Sequence, residues 1–474
     1  METNLPEEVR ELFKKFKEKN YQLFLVGGVV RDLLLKKEIK DWDFTTDATP
    51  EQILDVIPDG FYNNKFGTVG LNTEGLGVFE ITTMRKEGEY KDSRHPEQVS
   101  WTNKVEEDLA RRDFTINAIA MGLNSSSSPQ GRTIIPVLSE VEVFFERSRE
   151  VPFILIDPFK GQADLEQKII KAVGDPGKRF QEDALRLLRA VRFSTQFQFL
   201  IEERTFEAIK QNAKLILNIS WERIRDEIFK ILSTDFPYEG IVMLRNAGLL
   251  EYILPEVEKC FGIVQQGPKH DRVYDIGEHS LLSLKFCPSK DPLVRFASLI
   301  HDTGKFDTVK TSPDGNVTFY GHDIVGGKIA KKIGERFRFS SKEIDKLYRL
   351  VRYHMFTVSE YQTDSAIRRF IKNVGLENID DMMAVRVGDR LGGGTQTETS
   401  WRMEEFKKRI GQVLQKPFSI SDLKITGTQV MEITNLKPGP KVGEILNQLF
   451  KEVLEDAEKN NKEYLKKRTE ELMA

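Results

Sequence analysis

The feature that most constrains the fold is a short β-prone run that ends on a pair of glycines and passes at once into a helical pattern. Tyr21 to Val26 is apolar and β-prone, and it stops at Gly27-Gly28. Val29 to Leu35 then has an apolar face at helical spacing, and Trp42 to Thr46 is a second strand candidate. This order favours a mixed α/β domain, with a small sheet and helices packed against it.

Further elements continue the mixed pattern. A helix is predicted over Leu5 to Lys19, and another starts at Thr49-Pro50-Glu51. Additional strands are predicted at Thr68 to Leu71 and Gly77 to Thr83. We therefore assign residues 1–123 to an α/β head.

The rest of the chain is predicted to be all-α. A Ser-rich stretch opens a segment, 124–153, that fits neither neighbour and is interpreted as an inserted loop segment. From Leu165 onward the periodicity is almost entirely helical, and a highly charged helix is expected from Val442 to about Leu472. The predicted divisions are a helical neck (154–265), a central domain (266–400) and a helical tail (401–474).

Charge and cysteine content restrict the class of protein. The 474 residues carry 71 Lys and Arg against 74 Asp and Glu, a formal net charge of −3, so a polyanionic partner has to be held by local basic surface. The two cysteines, Cys260 and Cys287, lie in no metal-ligand spacing, which argues against a disulfide framework and fits a reducing cytoplasm. No apolar stretch of about 18 residues occurs, so the sequence predicts no membrane span.

Two aspartates flank the tryptophan that opens the second strand candidate. Asp41 and Asp43 are spaced i, i+2, so on a strand both carboxylates project from one face and Trp42 from the other. Such a pair fits Mg²⁺, which binds a few carboxylate oxygens together with water and phosphate and serves phosphoryl transfer. Arg31, one helical turn beyond Gly28, could clamp a phosphate near the glycine turn. A solvent-facing acidic pair beside a plain turn is the alternative.

These segments resemble a known family. The run from Leu25 to Asp32 (LVGGVVRD), followed by Asp41-Trp42-Asp43, resembles the signature of class II nucleotidyltransferases, the superfamily of bacterial tRNA CCA-adding enzymes and poly(A) polymerases. Later segments resemble further motifs of that family, in the family's order: Glu107 to Ala118, Asp157-Pro158 with Gly161 and Asp164-Leu165, and Glu182 to Arg186.

The resemblance implies a set of site residues. Asp41 and Asp43 would be the catalytic carboxylates and would hold Mg²⁺. The implied nucleotide-binding residues are Gly28, Arg31, Arg112, Asp183, Arg186, Arg189 and Arg192. The part of Asp113 stays open between orienting the arginines and capping a turn. The segment from Glu87 to Pro96 resembles the flexible loop of family members that add the terminal A, and a surface loop without consequence is the alternative.

Two residues of the segment from Glu182 to Arg186 suggest how the enzyme would choose a nucleotide base. If Asp183 and Arg186 lie three apart on one helix face, they present a carboxylate acceptor beside a guanidinium donor. Cytosine and adenine offer an amine donor next to a ring-nitrogen acceptor, whereas guanine and uracil invert that pattern. The pair would therefore accept C or A and reject the others. An ordinary salt bridge on a helix surface is the alternative.

Four of the six histidines fall in one helical stretch. The order His279, His301-Asp302, His322, His354 and Asp389 resembles the HD superfamily of phosphohydrolases, and the run HDTGK from His301 matches its central element. The resemblance implies His279, His301, Asp302 and Asp389 as primary ligands of a divalent transition metal, which would activate bound water. His322 and His354 would hold a second metal or the substrate phosphate. A relict fold with hydrogen-bonded core histidines is the alternative.

These resemblances predict a tRNA nucleotidyltransferase with an HD domain. It would add or repair the 3′-terminal CCA with CTP and ATP, depend on Mg²⁺ and use no nucleic-acid template. The expected partners are the tRNA 3′ end, ATP and CTP, with a tRNA contact in the tail and no membrane. An A-adding enzyme or a poly(A) polymerase is the alternative within the class. A phosphohydrolase with an inactive RNA-binding head is the alternative outside it, and intact Asp41 and Asp43 argue against that reading.

Overall fold

The computed structural model describes residues 5–62, 67–87, 99–123, 153–265, 274–313, 317–356, 362–395, 397–414 and 420–472. The chain divides into two compact units, Met1–Pro255 and Glu256–Ala474. Of the predicted flexible loop (87–96) and the predicted insertion (124–153), only Glu87 and Phe153 belong to the described part of the chain.

The first unit begins with a mixed sheet. Its strands are β1 (Leu23–Val26), β2 (Trp42–Thr46), β3 (Phe61–Tyr62), β4 (Thr68–Thr73), β5 (Gly77–Thr83), β6 (Arg85–Glu87), β7 (Val99–Trp101), β8 (Ala120–Leu123) and β9 (Phe153–Ile156). Seven of them form one sheet in the order β3-β4-β5-β2-β1-β8-β9, and β6 pairs with β7 separately. Within the large sheet β2 and β5 run parallel, and the other paired strands run antiparallel. The strands predicted over residues 21–26, 42–46, 68–71 and 77–83 are confirmed.

Helices surround this sheet and continue beyond it. In the first unit they are α1 (Glu7–Glu18), α2 (Gly28–Leu34), α3 (Pro50–Val56), α4 (Val105–Ala110), α5 (Gly161–Glu166), α6 (Pro176–Glu182), α7 (Leu185–Phe197), α8 (Glu203–Asn212), α9 (Trp221–Leu232), α10 (Pro237–Asn246) and α11 (Leu250–Ile253). The predicted start of α3 is confirmed: Thr49 caps it in a capping box with Gln52. A short parallel pair, β10 (Ile169–Ile170) and β11 (Leu200–Ile201), joins the helical part.

Aromatic packing fixes which face of the sheet is buried. Trp42 and Phe44 of β2 pack against Phe79 of β5, with ring centroids 5.8 and 5.3 Å apart. Phe13 of α1 meets the ring of Phe44 at 6.2 Å. Because side chains alternate along a strand, Asp43, which lies between the two aromatics of β2, points to the other face. Packing of the apolar face therefore decides where the acidic side chain is presented.

The motif from Asp157 to Leu165 joins the sheet to the helices. Asp157 caps α5, since its Oδ1 accepts from the backbone N–H of Gly161 at 2.7 Å. A Cβ on Gly161 would lie 2.2 Å from the backbone oxygen of Thr115, so the helix approaches that turn as closely as only glycine permits. Asp164 completes the joint by accepting from the hydroxyl of Thr115 at 2.6 Å. The motif thus fixes the segment that carries Arg112 and Asp113.

The second unit is mostly helical. After α12 (Pro255–Glu258) its helices are α13 (Ile276–Phe286), α14 (Pro292–Ile300), α15 (Lys305–Thr308), α16 (His322–Arg336), α17 (Ser341–Arg352), α18 (Asp364–Val374), α19 (Ile379–Gly392), α20 (Trp401–Leu414), α21 (Gly427–Thr434), α22 (Pro440–Glu455) and α23 (Lys462–Glu471). Two-residue strands pair as β12 (Val264–Gln265) with β13 (Tyr274–Asp275) and as β14 (Lys310–Thr311) with β15 (Val317–Thr318). The expected α/β head followed by a helical body is confirmed in the described residues.

The prediction of one charged helix from Val442 to Leu472 is wrong. Helix α22 ends at Glu455 and α23 begins at Lys462. Asp456 accepts from the backbone N–H of Glu458 at 3.0 Å, and Asn461 accepts from that of Tyr464 at 2.9 Å. These short polar side chains bond to nearby backbone and so end one helix and start the next.

No helix in the described ranges is long and apolar enough to cross a membrane. This agrees with the absence of a long apolar stretch in the sequence.

Small residues bring α13 and α19 into close contact. A Cβ on Gly388 would lie 2.4 Å from the backbone oxygen of Ser283, and one on Gly392 would lie 2.5 Å from the Oγ of the same serine. Both glycines belong to α19 and Ser283 belongs to α13. The backbones of the two helices are therefore in contact, and a larger side chain at either glycine would push the helices apart.

We expect Gly388→Ala to lower the free energy of unfolding of the second unit by about 1 to 3 kcal/mol, because the new methyl group meets backbone that cannot rotate away. Gly411→Ala in α20 is the matched control, since nothing lies within 4 Å of the added atom, and it should be neutral or stabilising by up to about 1 kcal/mol. Urea denaturation followed by circular dichroism measures both changes. Equal midpoints for the two variants would contradict the close contact.

Candidate nucleotide site and candidate metal centre

The glycine turn after β1 lies directly on an arginine. Gly27 has φ of 71° and ψ of −127°, and a Cβ on it would lie 2.6 Å from Nη1 of Arg112. Both the left-handed backbone and the close contact require glycine. Gly28, which the sequence analysis selected, is the first residue of α2. A Cβ on Gly28 would lie 3.4 Å from Nη2 of Arg31. The tighter constraint is therefore at Gly27.

The acidic pair lies at the start of β2 beside a third carboxylate. Asp43 is the second residue of β2, and Asp41 immediately precedes the strand. The register of the parallel β2 and β5 pairs Asp43 with Glu80, so both side chains lie on the same face of the sheet. The sequence analysis missed Glu80. Its position as the charged residue between two buried apolar residues of β5 was the available signal.

The charges around Asp43 crowd one another. Burial raises the pKa of Asp43 above its ordinary value, against the opposing charge of Arg112. Glu80 and Asp41 raise it further, and Arg31 acts in the opposite direction. Crowded carboxylate oxygens favour a divalent cation, and Mg²⁺ needs only one or two of them because water and phosphate complete its shell. The donor set at the head therefore fits Mg²⁺.

Three of the arginines in the nucleotide-binding set gather on one aromatic ring. The guanidinium carbons of Arg31, Arg189 and Arg192 lie 5.4, 5.2 and 4.0 Å from the ring centroid of Phe193. Phe193 in turn stacks on Phe197, with centroids 5.9 Å apart and planes 8° from parallel. Cation–π attraction to this ring helps to offset the repulsion between the like charges. The sequence analysis did not select Phe193.

A chain of hydrogen bonds links two of these arginines, Arg189 and Arg31, through Asp113. Arg189 donates from Nε to Oδ2 of Asp113 at 2.6 Å. Asn117 donates to Oδ1 of Asp113 at 3.0 Å and accepts from Nη1 of Arg31 at 2.7 Å. The same Oδ1 accepts from the backbone N–H of Phe114 at 2.8 Å. Asp113 therefore does both things that the sequence left open: it orients arginines and caps a turn.

The charge of Asp113 is stabilised by this arrangement. Burial would raise its pKa, but the positive charge of Arg189 and the hydrogen bond from Asn117 outweigh burial and hold the pKa far below its ordinary value. Asp113 is therefore ionised at any pH near neutrality. A permanent negative charge is available to hold the arginines.

The prediction that Asp183 and Arg186 share one helix face is wrong. Helix α6 ends at Glu182, α7 begins at Leu185, and Asp183 between them has an extended backbone with φ of −142° and ψ of 106°. Its Oδ1 accepts from the backbone N–H of Leu185 at 3.0 Å. An aspartate that binds nearby backbone in this way interrupts a helix, which is why helical spacing misjudged its position.

Arg186 is fixed by three acceptors. Its Nη1 donates to Oε2 of Glu182 at 2.6 Å and to the backbone oxygen of Arg179 at 3.0 Å. Its Nη2 donates to the backbone oxygen of Arg111 at 2.9 Å. The guanidinium group is therefore tied to both the head and the helical part of the first unit.

Two further site residues lie on α9. Arg223 donates from Nη2 to Oδ2 of Asp183 at 3.0 Å, and Glu227 accepts from Nε of Arg192 at 2.6 Å. The sequence analysis missed both. A signal was present for Glu227, because it falls on the apolar face of α9 with Ile224 and Ile228, and a buried charge needs a partner.

The second unit brings together the histidines and aspartates singled out in the sequence. Nε2 of His279 lies 3.3 Å from Nε2 of His301, 3.3 Å from Oδ2 of Asp302 and 3.2 Å from Oδ1 of Asp389. Nε2 of His301 lies 3.3 Å from the same Asp302 oxygen and 3.7 Å from the same Asp389 oxygen. Ligand atoms bound about 2.1 Å from one ion lie about 3.0 to 3.4 Å apart. The spacing fits a single divalent ion with two imidazole and two carboxylate ligands.

His322 and His354 face the other oxygen of Asp302. Their Nε2 atoms lie 3.4 and 3.5 Å from Oδ1 of Asp302. Each ring also holds a backbone carbonyl through Nδ1, at 2.8 Å from Phe319 for His322 and 2.6 Å from Val351 for His354. Such second bonds fix the tautomer and direct the Nε2 lone pair inward. Both Nε2 atoms are buried without a hydrogen-bond partner among the described residues, so their lone pairs suit a metal ion.

Opposite charges concentrate in this centre. Burial acts to lower the pKa of His301, but the charge of Asp302 and hydrogen bonds with Asp302 and Asp389 raise it to about 10. The two aspartates have pKa values held well below their usual range, because the effect of burial is outweighed by His301 with Lys305 and His279 at Asp302, and by the two histidines at Asp389. The site therefore favours positive charge, which a metal ion supplies when it replaces the proton.

Two cationic side chains also bind the carboxylates of the centre. Lys305 donates to Oδ2 of Asp302, with Nζ at 2.6 Å, and also to Oε1 of Gln265 at 2.7 Å. Arg386 donates from Nη1 to Oδ2 of Asp389 at 2.8 Å. These bonds orient the carboxylates toward the histidines. Lys305 was visible in the HDTGK run, whereas Arg386 was missed.

Three family models match successive parts of the chain. "Poly A polymerase head domain" matches residues 23–138, "Probable RNA and SrmB- binding site of polymerase A" matches 198–261, and the model of tRNA nucleotidyltransferase domain 2 matches 330–468. The head-domain model covers the glycine turn, the acidic pair and the segment that carries Arg112 and Asp113.

Similar proteins extend over nearly the whole chain. The chain is 30% identical to the CCA-adding enzyme of Pediococcus pentosaceus over an alignment of 455 residues, which covers 96% of this chain and 95% of that enzyme. It is 30% identical over 440 residues to the A-adding tRNA nucleotidyltransferase of Deinococcus radiodurans, which covers 90% of each. The crystal structure of the Bacillus stearothermophilus CCA-adding enzyme in complex with CTP is similar with a TM-score of 0.68 and 25% identity, over 98% of this chain and 97% of that one. The chain therefore belongs to the family of CCA-adding and A-adding tRNA nucleotidyltransferases.

Proposed function

We propose that the protein adds or repairs the 3′-terminal CCA of tRNA with CTP and ATP, without a nucleic-acid template. The observation that carries the proposal is the position of three consecutive residues. The backbone carbonyl of Arg111 accepts a hydrogen bond from Arg186, and the carboxylate of Asp113 accepts one from Arg189. Between them, the positive charge of Arg112 acts to lower the pKa of Asp43. This segment therefore joins the acidic pair to Arg186, which is proposed to read the base, and to Arg189, which is proposed to bind the triphosphate.

The proposed reaction is attack of the tRNA 3′ hydroxyl on the α-phosphate of the nucleotide, with pyrophosphate as the leaving group. Mg²⁺ held by Asp41 and Asp43, with Glu80 beside them, would neutralise the charge that develops on the phosphates. Arg31, Arg112, Arg189 and Arg192 would bind the triphosphate through N–H groups that their acidic partners leave available. Holding both reactants in one orientation removes much of the entropic barrier.

Base choice is proposed to reside in Asp183 and Arg186. The exocyclic amine of cytosine or adenine would donate to the Asp183 carboxylate, and the neighbouring ring nitrogen would accept from Arg186. Guanine and uracil would place an acceptor against the carboxylate and a donor against the guanidinium group. A site built to hydrogen-bond one pattern rejects the inverse strongly, because its own polar groups are left unpaired.

An A-adding enzyme is the second candidate within this class. The 30% identity with the Deinococcus radiodurans A-adding enzyme over 90% of each chain favours it. The similar identity to the Pediococcus pentosaceus CCA-adding enzyme favours CCA addition. The two functions use the same head and differ in the products they form.

The test supplies tRNA ends that lack A, CA or CCA with CTP and ATP, separately and together, and sequences the products. We expect CTP to extend the CCA-less end by two residues and ATP to complete it. Asp43→Asn should abolish incorporation on every end, while Asp345→Asn, which removes an exposed carboxylate of the second unit, should not. Addition of A to a CC end alone would select the A-adding function, and long A tails on generic RNA would select a poly(A) polymerase.

The glycine turn yields a second prediction. Gly27→Ala should weaken ATP binding by at least about tenfold, because its methyl group would displace the Arg112 guanidinium group from the site. Gly75→Ala is the matched control: Gly75 also has a positive φ, of 81°, but nothing lies within 4 Å of its Cβ position. Both variants should lose about 1 to 3 kcal/mol of stability from backbone strain. Isothermal titration with ATP measures the affinities, and equal affinities would refute the proposed contact.

We further propose that the histidine centre is an HD-type metal site with phosphohydrolase activity. His279, His301, Asp302 and Asp389 would hold one divalent transition metal, and His322 and His354 would hold a second ion or a substrate phosphate. A metal held by these residues would supply an activated water for phosphoester hydrolysis. The ligand spacing and the buried Nε2 atoms support this proposal over a relict core of hydrogen-bonded histidines.

Metal content tests the centre independently of turnover. After incubation with Mn²⁺ and desalting, elemental analysis should find at least one ion per chain, and His279→Ala should lose it because one of four ligands is removed. Asp345→Asn serves again as the control and should keep the wild-type content. Failure of wild-type protein to retain Mn²⁺, Co²⁺, Ni²⁺ or Zn²⁺ would support the relict interpretation. If metal is bound, release of phosphate from an RNA 3′-phosphate or cyclic phosphate tests the activity.

A further inference from the structure

Helix α9 supports two residues of the proposed nucleotide site from behind. Arg223 and Glu227 lie four residues apart, so they face the same side of the helix. Arg223 binds Asp183 and Glu227 binds Arg192. One helix that carries no residue of the nucleotide-binding set thus holds a base-reading carboxylate and a cation of that set.

The carboxylate of Asp183 is held at both oxygens by different elements. Oδ1 accepts from the backbone N–H of Leu185 at 3.0 Å, and Oδ2 accepts from Nη2 of Arg223 at 3.0 Å. The first bond belongs to the start of α7 and the second comes from α9. Two donors at the two oxygens fix the plane of the carboxylate, which neither donor would do alone. The Asp183 side chain keeps 20% of its surface exposed, so one side stays open to a base.

Among the described residues, the hydrogen bonds of the Arg186 side chain go to residues outside α9. Its donors go to Glu182, to the backbone of Arg179 and to the backbone of Arg111. The bond from α9 therefore acts on Asp183, the proposed acceptor for the base, and not on the guanidinium group of Arg186, the proposed donor.

We propose that Arg223 is a specificity-determining positioning residue: it orients the Asp183 carboxylate so that C and A are distinguished from U and G. The inference rests on the proposed function. Without Arg223 the carboxylate keeps only its bond to Leu185 and can turn about its side-chain torsions. A turned carboxylate pairs less well with the amine of cytosine and can accept from the ring N–H of uracil or guanine, so discrimination falls. Arg223 itself need not touch the base for this effect.

The test compares Arg223→Gln with wild-type enzyme on tRNA that lacks CCA. The readout is the ratio of kcat/KM for CTP to that for UTP, which does not change with the fraction of folded enzyme. We expect the ratio to fall by about tenfold to hundredfold, the usual consequence of a small misplacement in a site. Inhibition by inorganic tripolyphosphate should keep its wild-type constant, because the phosphates are held elsewhere.

Two variants serve as comparison and control. Arg223→Lys keeps the positive charge but has one compact donor group, so its ratio should lie between those of wild type and Arg223→Gln. It also keeps the test open if the glutamine variant does not fold. Arg204→Gln removes another Arg–Asp ion pair of the same unit, an exposed one with Asp175 at 3.1 Å, and should leave the ratio unchanged.

A double variant decides whether Arg223 acts through Asp183. In the Asp183→Ala background, Arg223→Gln should cause no further loss of discrimination, because the group it orients is gone. Additive losses would overturn the proposal, as would an unchanged CTP to UTP ratio in active Arg223→Gln. An equal rise in KM for all nucleotides together with weaker tripolyphosphate inhibition would also overturn it, by making Arg223 a general binding contact. If wild-type enzyme itself fails to add C and A selectively, the proposed function fails first.

Discussion

The first unit depends on holding several arginines close together at low exposure. Like charges repel, and each guanidinium group also loses hydration when it is buried. The buried carboxylates of Asp113 and Glu227 offset this cost, and the ring of Phe193 adds cation–π attraction. Because each anion comes from a different element, the ion pairs also lock those elements together. The geometry of the proposed nucleotide site is thus a consequence of the way its charges are neutralised.

The second unit also holds charged groups close together, but at its histidine centre negative aspartates lie beside histidines. Its aspartates and histidines lie at ligand spacing because α13 and α19 touch through glycine and serine, which brings His279 next to Asp389. Lys305 and Arg386 then donate to the carboxylates of Asp302 and Asp389. Close backbone packing sets the positions and the flanking cations set the orientations. In both units the side chains proposed to react are held by residues that do not react.

Local sequence pattern was enough for much of the head. Trp42 and Phe44 alternate with Asp43, so the strand and its two faces could be read directly, and Thr49-Pro50 marked the start of a helix. The same reasoning failed where a short polar side chain binds nearby backbone. Asp183 interrupts a pattern that is helical on both sides, and Asp456 with Asn461 divides the last predicted helix. Apolar periodicity does not register such local competition.

The sequence by itself determined the chemical inventory: a glycine turn, an acidic pair, an arginine series, and histidines in a fixed order with two aspartates. These signals survive in one dimension because each is a short motif or a periodic pattern. Tertiary structure alone decided that Glu80 lies beside Asp43, that Phe193 carries three arginines, and that Arg223 and Glu227 hold site residues from a neighbouring helix. Strand register and helix packing bring these partners together across long stretches of chain, and no local pattern encodes which distant side chain will neutralise a given charge.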